Sequence, residues 1–219
     1  MTGSKIFPAN PVSCDQDTIE KAAAFIKKGG LVVFPTSSFY GLGADAFMAD
    51  AVESVFQVKK RDRQRPVLIL IASPPDLAPL VQSIPGVATR LIAAFWPGSL
   101  TLVFEAADFL PPNLTGHSGK IGVRLASHPV ALRLIRTVGN PITGTSANLS
   151  GKDGCTEVEQ LAPLIRDHVD VILDAGPLQG GKGSSVVDVT VDPPRILREG
   201  AVTAKKIAAT LDFEQHILF

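Results

Sequence analysis

Short, continuous apolar runs that alternate with helical patterns constrain the fold of this chain more than any other feature. Leu31-Val32-Val33-Phe34 and the run from Val67 to Ile71 are strand-sized and lack alternating polar positions. Such runs fit strands covered on both faces, because a strand with one wet face would alternate. Before the first, Ile19, Ala22, Ala23 and Ile26 recur at helical spacing behind Asp17-Thr18-Ile19-Glu20, a capping-box pattern, and Gly29-Gly30 ends that helix. Pro35 to Tyr40 reads as a loop at the strand's carboxyl end. Asp50 with Glu53 predicts the cap of a second helix running to about Val58, with Lys59 and Arg61 at its end.

Further along, a helix from about Gly86 to Phe95 is stopped by Trp96-Pro97-Gly98 and followed by a strand over Leu100 to Phe104. Ile121 to Leu125 reads as a strand, and Pro129 to Val138 as a helix with proline at its first position. Thr156-Glu157-Val158-Glu159 predicts another capped helix. Strands are expected over Val169 to Leu173, Ser185 to Val189 and Arg195 to Leu197, with a last helix from about Thr203. Interleaved helices and strands specify an α/β fold. Two successive strands after Ser185 make the sheet mixed parallel and antiparallel. No Pro/Gly/Ser linker and no internal repeat divides the chain, so residues 1–219 are expected to form one domain with a motif-bearing core of about 15–212. At 45% hydrophobic residues, 219 residues can bury a core of their own.

Lys+Arg 21 against Asp+Glu 21 leaves no net charge, so no global field favours nucleic acid or an anionic membrane, although a local basic patch stays open. Met1 to Pro11 has no apolar signal-peptide core, and no run approaches the ~18 apolar residues of a membrane span. A cytoplasmic protein without membrane contact is expected. Cys14 and Cys155 share no metal-ligand spacing with each other or with the four histidines, so both read as incidental thiols and no metal site is predicted.

Chemistry concentrates in two stretches. Lys59-Lys60-Arg61 places cations at i and i+2 at a helix end, and Thr145-Ser146-Ala147-Asn148-Leu149-Ser150-Gly151 packs hydroxyls and an amide into an expected strand-to-helix turn. Cations hold phosphate or carboxylate charge, and hydroxyls add hydrogen bonds without charge, so together they read as a site for an anionic nucleotide. Two decoys fall away. Gly176, Gly181 and Lys182 approach a phosphate-binding loop, but Gly183 stands where a Ser or Thr should be. The β-branched Ser184-Ser185-Val186-Val187-Asp188 follows instead of a helix, which leaves a flexible Gly-rich lid. Gly144-Thr145-Ser146-Ala147-Asn148 lacks the final glycine of a nucleophile elbow and has no evident histidine partner.

In order and spacing, a longer series of motifs resembles the YrdC/TsaC family, the L-threonylcarbamoyladenylate synthases of tRNA modification. The series is Pro35-Thr36 with Tyr40-Gly41-Leu42-Gly43, Lys59-x-Arg61, Phe95 to Thr101, Val123-Arg124-Leu125 before Ser127-His128-Pro129, Ser146 to Gly151, Val186-Val187-Asp188 and Ile196-Leu197-Arg198. The likeness runs from about Gly30 to Gly200. It implies a YrdC-like twisted mixed sheet flanked by helices around a concave cleft. It also implies a nucleotidyltransferase that makes threonylcarbamoyl-AMP and pyrophosphate from L-threonine, bicarbonate and ATP, for tRNA threonylcarbamoyladenosine. Mg2+ is expected with ATP, though no protein ligand for it is assigned.

By that resemblance Lys59, Arg61, Ser146 and Asn148 form the catalytic and nucleotide-binding set, with Lys59 and Arg61 on the phosphates and Arg198 adding a nucleotide contact. Arg124, in an apolar strand, is expected to meet the threonine carboxylate, with Thr36 holding the amino acid and Ser185 closing over it. Contact with tRNA or double-stranded RNA, and hand-over of the intermediate to threonylcarbamoyl-transfer machinery, are the implied partnerships. The chain departs from the family pattern at Ser37-Ser38, Lys60, Leu70 and Glu199, mostly around the amino-acid pocket. Two other readings compete: a divergent YciO-like paralogue with a different nucleotide-dependent reaction, and an RNA-binding module without synthase activity. One Tyr and one Trp give little aromatic stacking for the latter.

Overall fold

The strand-sized runs enter two sheets. The structure, a computed structural model, describes residues 5–12 and 15–212; Cys14 and His216 lie outside the described residues. Strand β1 (Lys5–Pro8) precedes helix α1 (Gln16–Lys27), whose buried Ile19, Ala22, Ala23 and Ile26 form the predicted stripe. Strands β2 (Val32–Pro35) and β3 (Tyr40–Gly43) form a hairpin, followed by α2 (Ala49–Lys59), β4 (Ile69–Ile71) and a 3-10 turn over Pro74–Leu80. Then come α3 (Gly86–Phe95), β5 (Leu100–Glu105), β6 (Lys120–Leu125) and α4 (Pro129–Val138). The chain continues through β7 (Ile142–Thr143), β8 (Thr145–Ser146), a 3-10 turn at Val158–Gln160, α5 (Pro163–His168), β9 (Val171–Asp174), β10 (Ser185–Asp188), β11 (Arg195–Arg198) and α6 (Ala204–Leu211).

Among the described residues, one sheet has the order β1-β9-β2-β3-β8 and the other β11-β10-β5-β6-β4-β7. Both are mixed: β2 runs parallel to β9 and antiparallel to β3, and β5 runs parallel to β10 and antiparallel to β6. Alternation explains the layers. Val32, Phe34, Val171 and Leu173 pack with α1 and α4, whereas Val33, Leu42 and Ile172 pack with α2 and α5. In the second sheet Leu100, Leu102, Phe104, Ile121 and Val123 pack with α3 and α6, while on the opposite face α4 covers only the β4 side, at Leu70. Residues 142–146 pass from the second sheet to the first at Gly144. A Cβ there would lie 2.5 Å from Leu70 Cγ, so only glycine fits the crossing.

Several local expectations are corrected. Asp17-Thr18-Ile19-Glu20 lies inside α1, which starts from Asp15 without a side-chain cap; Asp17 pairs with Lys21 instead. Helix α2 begins after Met48, and Asp50 sits within its first turn, facing the positive end of the helix dipole. The helix expected from Thr156 is only a 3-10 turn, because Pro163 keeps Ala162 extended before α5 begins. Tyr40, expected in a loop, opens β3. That strand hides its pattern because Gly41 and Gly43 leave space for the Phe34 ring, which an added Cβ would meet at 3.0 and 2.9 Å.

Candidate active site

Strand periodicity builds the site. On β6 the residues between the core-facing Ile121, Val123 and Leu125 are Lys120, Gly122 and Arg124, and all three line a cleft of about 730 Å³. Thr101 and Val103 of β5 and Val186 and Asp188 of β10 extend this floor, with Ser184 just ahead of β10. The facing wall comes from Thr36 and Ser38 to Gly41 at the β2–β3 turn, from Arg61 and Pro66 to Leu68, and from Gly144, Thr145, Ser146 and Asn148. The middle of the floor is apolar (Val103, Gly122, Val186), while cations, hydroxyls and the carboxylates of Asp188 and Glu199 surround it.

The resemblance-derived arginines converge on this cleft. Arg124 is 8% exposed; its Nε donates to Gly98 O at 2.8 Å and Nη2 to Ser37 Oγ at 2.8 Å. Arg61 donates to Arg65 O and Pro66 O, at 3.2 and 2.8 Å. Arg198 donates through Nε and Nη2 to Ser184 O, at 3.1 and 2.7 Å. These partners are neutral oxygens. Carboxylates pair instead with other cations, Asp17 with Lys21, Glu53 with Arg63, Asp212 with Arg90, and Glu105 and Asp188 with Lys120. Burial, and then the nearby Arg198 charge, lowers the Arg124 pKa to about 10. Burial also lowers Arg61, with Arg65 and Arg198 adding repulsion that Asp62 offsets in part. A partly buried cation without a counter-ion costs several kcal/mol, so three sharing one cleft make a site that gains from an anion.

Lys59 does not face the cleft with them. It is 1% exposed, and its Nζ lies beneath the 146–148 turn, donating to Ser146 O at 2.5 Å, Asn148 O at 2.6 Å and Asn148 Oδ1 at 3.4 Å. Expected to bear on phosphates, Lys59 here has its donors taken up by the turn. Burial, reinforced by the Arg61 charge, lowers its pKa to about 7. Ser146 and Asn148 do line the cleft, with Ser146 Oγ hydrogen-bonded to Asn148 Oδ1 and Asn148 Nδ2 donating to Lys152 O. The turn ends at Gly151, in the left-handed region at φ 82°, and leads into no helix, contrary to expectation.

Thr36 lines the cleft and closes the β2–β3 turn, its Oγ1 donating to Phe39 O at 2.6 Å. Ser185 is the misplaced residue. It is fully buried on the core side, donating to Val202 O at 2.5 Å and accepting from Gly200 N at 2.8 Å. Strand parity turns its neighbour Ser184 to the cleft instead, with Ser184 Oγ 2.9 Å from Thr101 Oγ1. Two adjacent serines are ambiguous until the inward Val187 fixes the parity. Lys120 was also missed; its Nζ donates to Asp188 Oδ2 at 3.1 Å and Thr190 Oγ1 at 2.6 Å. Burial alone would raise Asp188, but the Thr190 and Lys120 bonds outweigh it and hold this carboxylate below its usual range.

The Gly176 to Lys182 stretch runs as a loop against the wall, where Gly180 N donates to Ser38 O at 2.9 Å. It is followed by strand β10, so no helix N-terminus is available there for a phosphate. No histidine is among the described residues lining the cleft, which leaves Ser146 without an elbow's base. The described residues contain no cluster of three His, Cys, Asp or Glu suited to a metal, and no helix long and apolar enough to cross a membrane.

Fold and site together define an α/β protein with a nucleotide-sized cleft between two mixed sheets, into which three arginines, Arg61, Arg124 and Arg198, project with only neutral oxygens as hydrogen-bond partners. The chain belongs to the Sua5–YciO–YrdC family, whose profile, described as telomere recombination, matches residues 24–200. It is 43% identical over 201 residues to a putative threonylcarbamoyl-AMP synthase of Mycobacterium tuberculosis, covering 92% of each chain. Superposition on the Pyrococcus abyssi Sua5 structure complexed with L-threonine gives a TM-score of 0.91 at 36% identity, over 95% of this chain and 61% of that one. The Escherichia coli YciO structure aligns with a TM-score of 0.85 at 28% identity, over 93% of this chain and 99% of that one. The single-domain mixed-sheet architecture expected of the family is the one observed.

Proposed function

We propose that this chain is an L-threonylcarbamoyladenylate synthase, joining L-threonine, bicarbonate and ATP into threonylcarbamoyl-AMP, pyrophosphate and water for tRNA threonylcarbamoyladenosine formation. The observation that carries this reading is the convergence of Arg61, Arg124 and Arg198 on one cleft with only neutral oxygens as hydrogen-bond partners. The similarity to a Sua5 complexed with L-threonine and to a putative synthase supports the choice of substrates.

Arg124 receives the amino-acid carboxylate, with Ser37 and Thr36 beside it. Arg61, Arg198, Ser146 and Asn148 receive the triphosphate. The threonine amine adds to CO2 derived from bicarbonate, losing a proton to give a carbamate. A carbamate oxygen attacks the α-phosphorus of ATP, and the bond to the β-phosphate oxygen breaks to release pyrophosphate. Both reactants are anions, so fixed guanidinium groups that offset their repulsion and hold them in line act directly on the barrier. Such positioning is worth several kcal/mol without a covalent nucleophile. The cleft's donors are cations and hydroxyls, which suit phosphate oxygens; of its carboxylates, Asp188 is already held by Lys120 and Thr190, and Glu199 stands alone, which makes no ligand set for a protein-held ion. Magnesium therefore enters this reading only as the ion carried by ATP, and no step depends on a protein-held metal.

The product is a mixed anhydride, so a threonylcarbamoyl-transfer reaction must consume it. Lys152 and Lys182, at the cleft, are the cations through which an RNA contact would act.

The test is to incubate the purified protein with ATP, magnesium, L-threonine and isotopically labelled bicarbonate, then examine products by mass spectrometry. Label in threonylcarbamoyl-AMP, lost when threonine is omitted, is the expected result. Pyrophosphate release without the adduct would overturn the synthase reading in favour of a YciO-like reaction on the same nucleotide.

A further inference from the structure

We infer that Lys59 is a positioning residue: it acts on the bound nucleotide through the Ser146–Asn148 turn and touches no phosphate. The identity of the nucleotide rests on the synthase reading; the role of Lys59 rests on geometry.

An ammonium group has three N–H donors and no acceptor. Three oxygens surround Lys59 Nζ, namely Ser146 O, Asn148 O and Asn148 Oδ1, at 2.5, 2.6 and 3.4 Å. Every donor is occupied, and at 1% exposure no fourth group can approach. The chain separates the two motif cations by its backbone path. Lys60 caps α2 in the left-handed region, at φ 49° and ψ 44°; Lys59 is thereby left pointing beneath the turn, while Arg61 lines the cleft.

The turn favours a hydrogen-bond donor with positive charge at this point. Carbonyls two residues apart converge on one spot, an arrangement their dipoles oppose unless positive charge sits at the focus. Lys59 holds the same segment from its backbone as well, its carbonyl accepting Ser150 N at 3.0 Å. Anchored from below, the turn presents Ser146 and Asn148 on its upper side to the cleft. Lys59 therefore sets the angle at which those side chains meet the phosphates that Arg61 neutralises.

A double-mutant cycle separates this role from direct phosphate contact, read as ATP affinity of the full chain by titration calorimetry. Lys59→Met and Ser146→Ala should each weaken ATP about 10-fold or more, and the double variant should be little worse than Lys59→Met alone. The salt dependence of ATP binding should stay that of the wild type in Lys59→Met, because no phosphate contact has been removed. Lys59→Arg should fail to restore affinity, since a planar guanidinium cannot occupy a three-oxygen niche shaped for an ammonium. Additive losses, a shallower salt dependence, or rescue by Lys59→Arg would overturn the inference. If Lys59→Met does not fold, the same cycle with Lys59→Gln, which keeps a donor to the carbonyls, carries the test. Wild-type protein that binds ATP but forms no adduct would refute the synthase reading and leave this inference intact.

Discussion

Ser184 and Ser185 show how much one position on a strand decides. The Ser184 hydroxyl meets Thr101 at the cleft and its carbonyl holds Arg198, whereas the Ser185 hydroxyl ties β10 to the backbone at Gly200 and Val202 on the far side. The two should separate cleanly in mutagenesis. Ser185→Ala leaves a buried N–H and a carbonyl without partners and should lower stability by about 1–3 kcal/mol in denaturant unfolding. Ser184→Ala removes the hydroxyl's contacts to Thr101 and Arg198 at the cleft and should cost less stability than Ser185→Ala, its main effect falling on turnover or the KM for threonine. The reverse pattern would move the functional serine back to 185. The same contrast governs Lys59 and Arg61, two cations of one motif that the backbone at Lys60 sends to opposite sides of a turn.

At the scale of elements, the segment Ile142 to Ser146 joins the two sheets and carries the site turn from one to the other. Gly144 is its tightest point, where a Cβ would lie 2.5 Å from Leu70 Cγ and 2.7 Å from Leu68 Cδ1. Gly144→Ala should therefore cost about 1–3 kcal/mol by overpacking, and Leu70→Ala in the same chain should recover part of that loss by vacating the space. Equal destabilisation with and without Leu70→Ala would show that backbone conformation, not the contact, demands glycine. This segment also marks where the sequence becomes hard to read. Helices α3 and α4 were legible to the residue, because Pro97-Gly98 and Pro129 punctuate periodic apolar stretches. Strands β7 and β8 are two residues each and β3 contains two glycines, so none carries a periodicity of its own; tertiary pairing makes them strands. The capping-box patterns misled because their acidic residues suit a helix's first turn as well as its cap.

For the whole molecule, neutral overall charge conceals a concentration of positive charge between the sheets. The residues that form it, Arg61, Arg124 and Arg198, come from the end of a helix and two different strands, so no local pattern groups them; only the order of motifs along the chain does. Without a bound anion, Arg61 repels Arg65 and Arg198 and loses solvation, while its bonds to Arg65 O and Pro66 O offset part of that penalty. Replacing it by methionine removes both terms, and their opposition should leave the unliganded Arg61→Met variant within about 1 kcal/mol of wild-type stability. An added anion breaks this balance in the wild type alone. Pyrophosphate at about 100 times its dissociation constant should stabilise the wild type by roughly 2.7 kcal/mol, raising its unfolding temperature by several degrees, and should do little for Arg61→Met. Thermal unfolding of both proteins with and without pyrophosphate reads this directly. If pyrophosphate stabilises the two equally, the anion site does not include Arg61, and the phosphates must lie instead between Arg198 and Arg124.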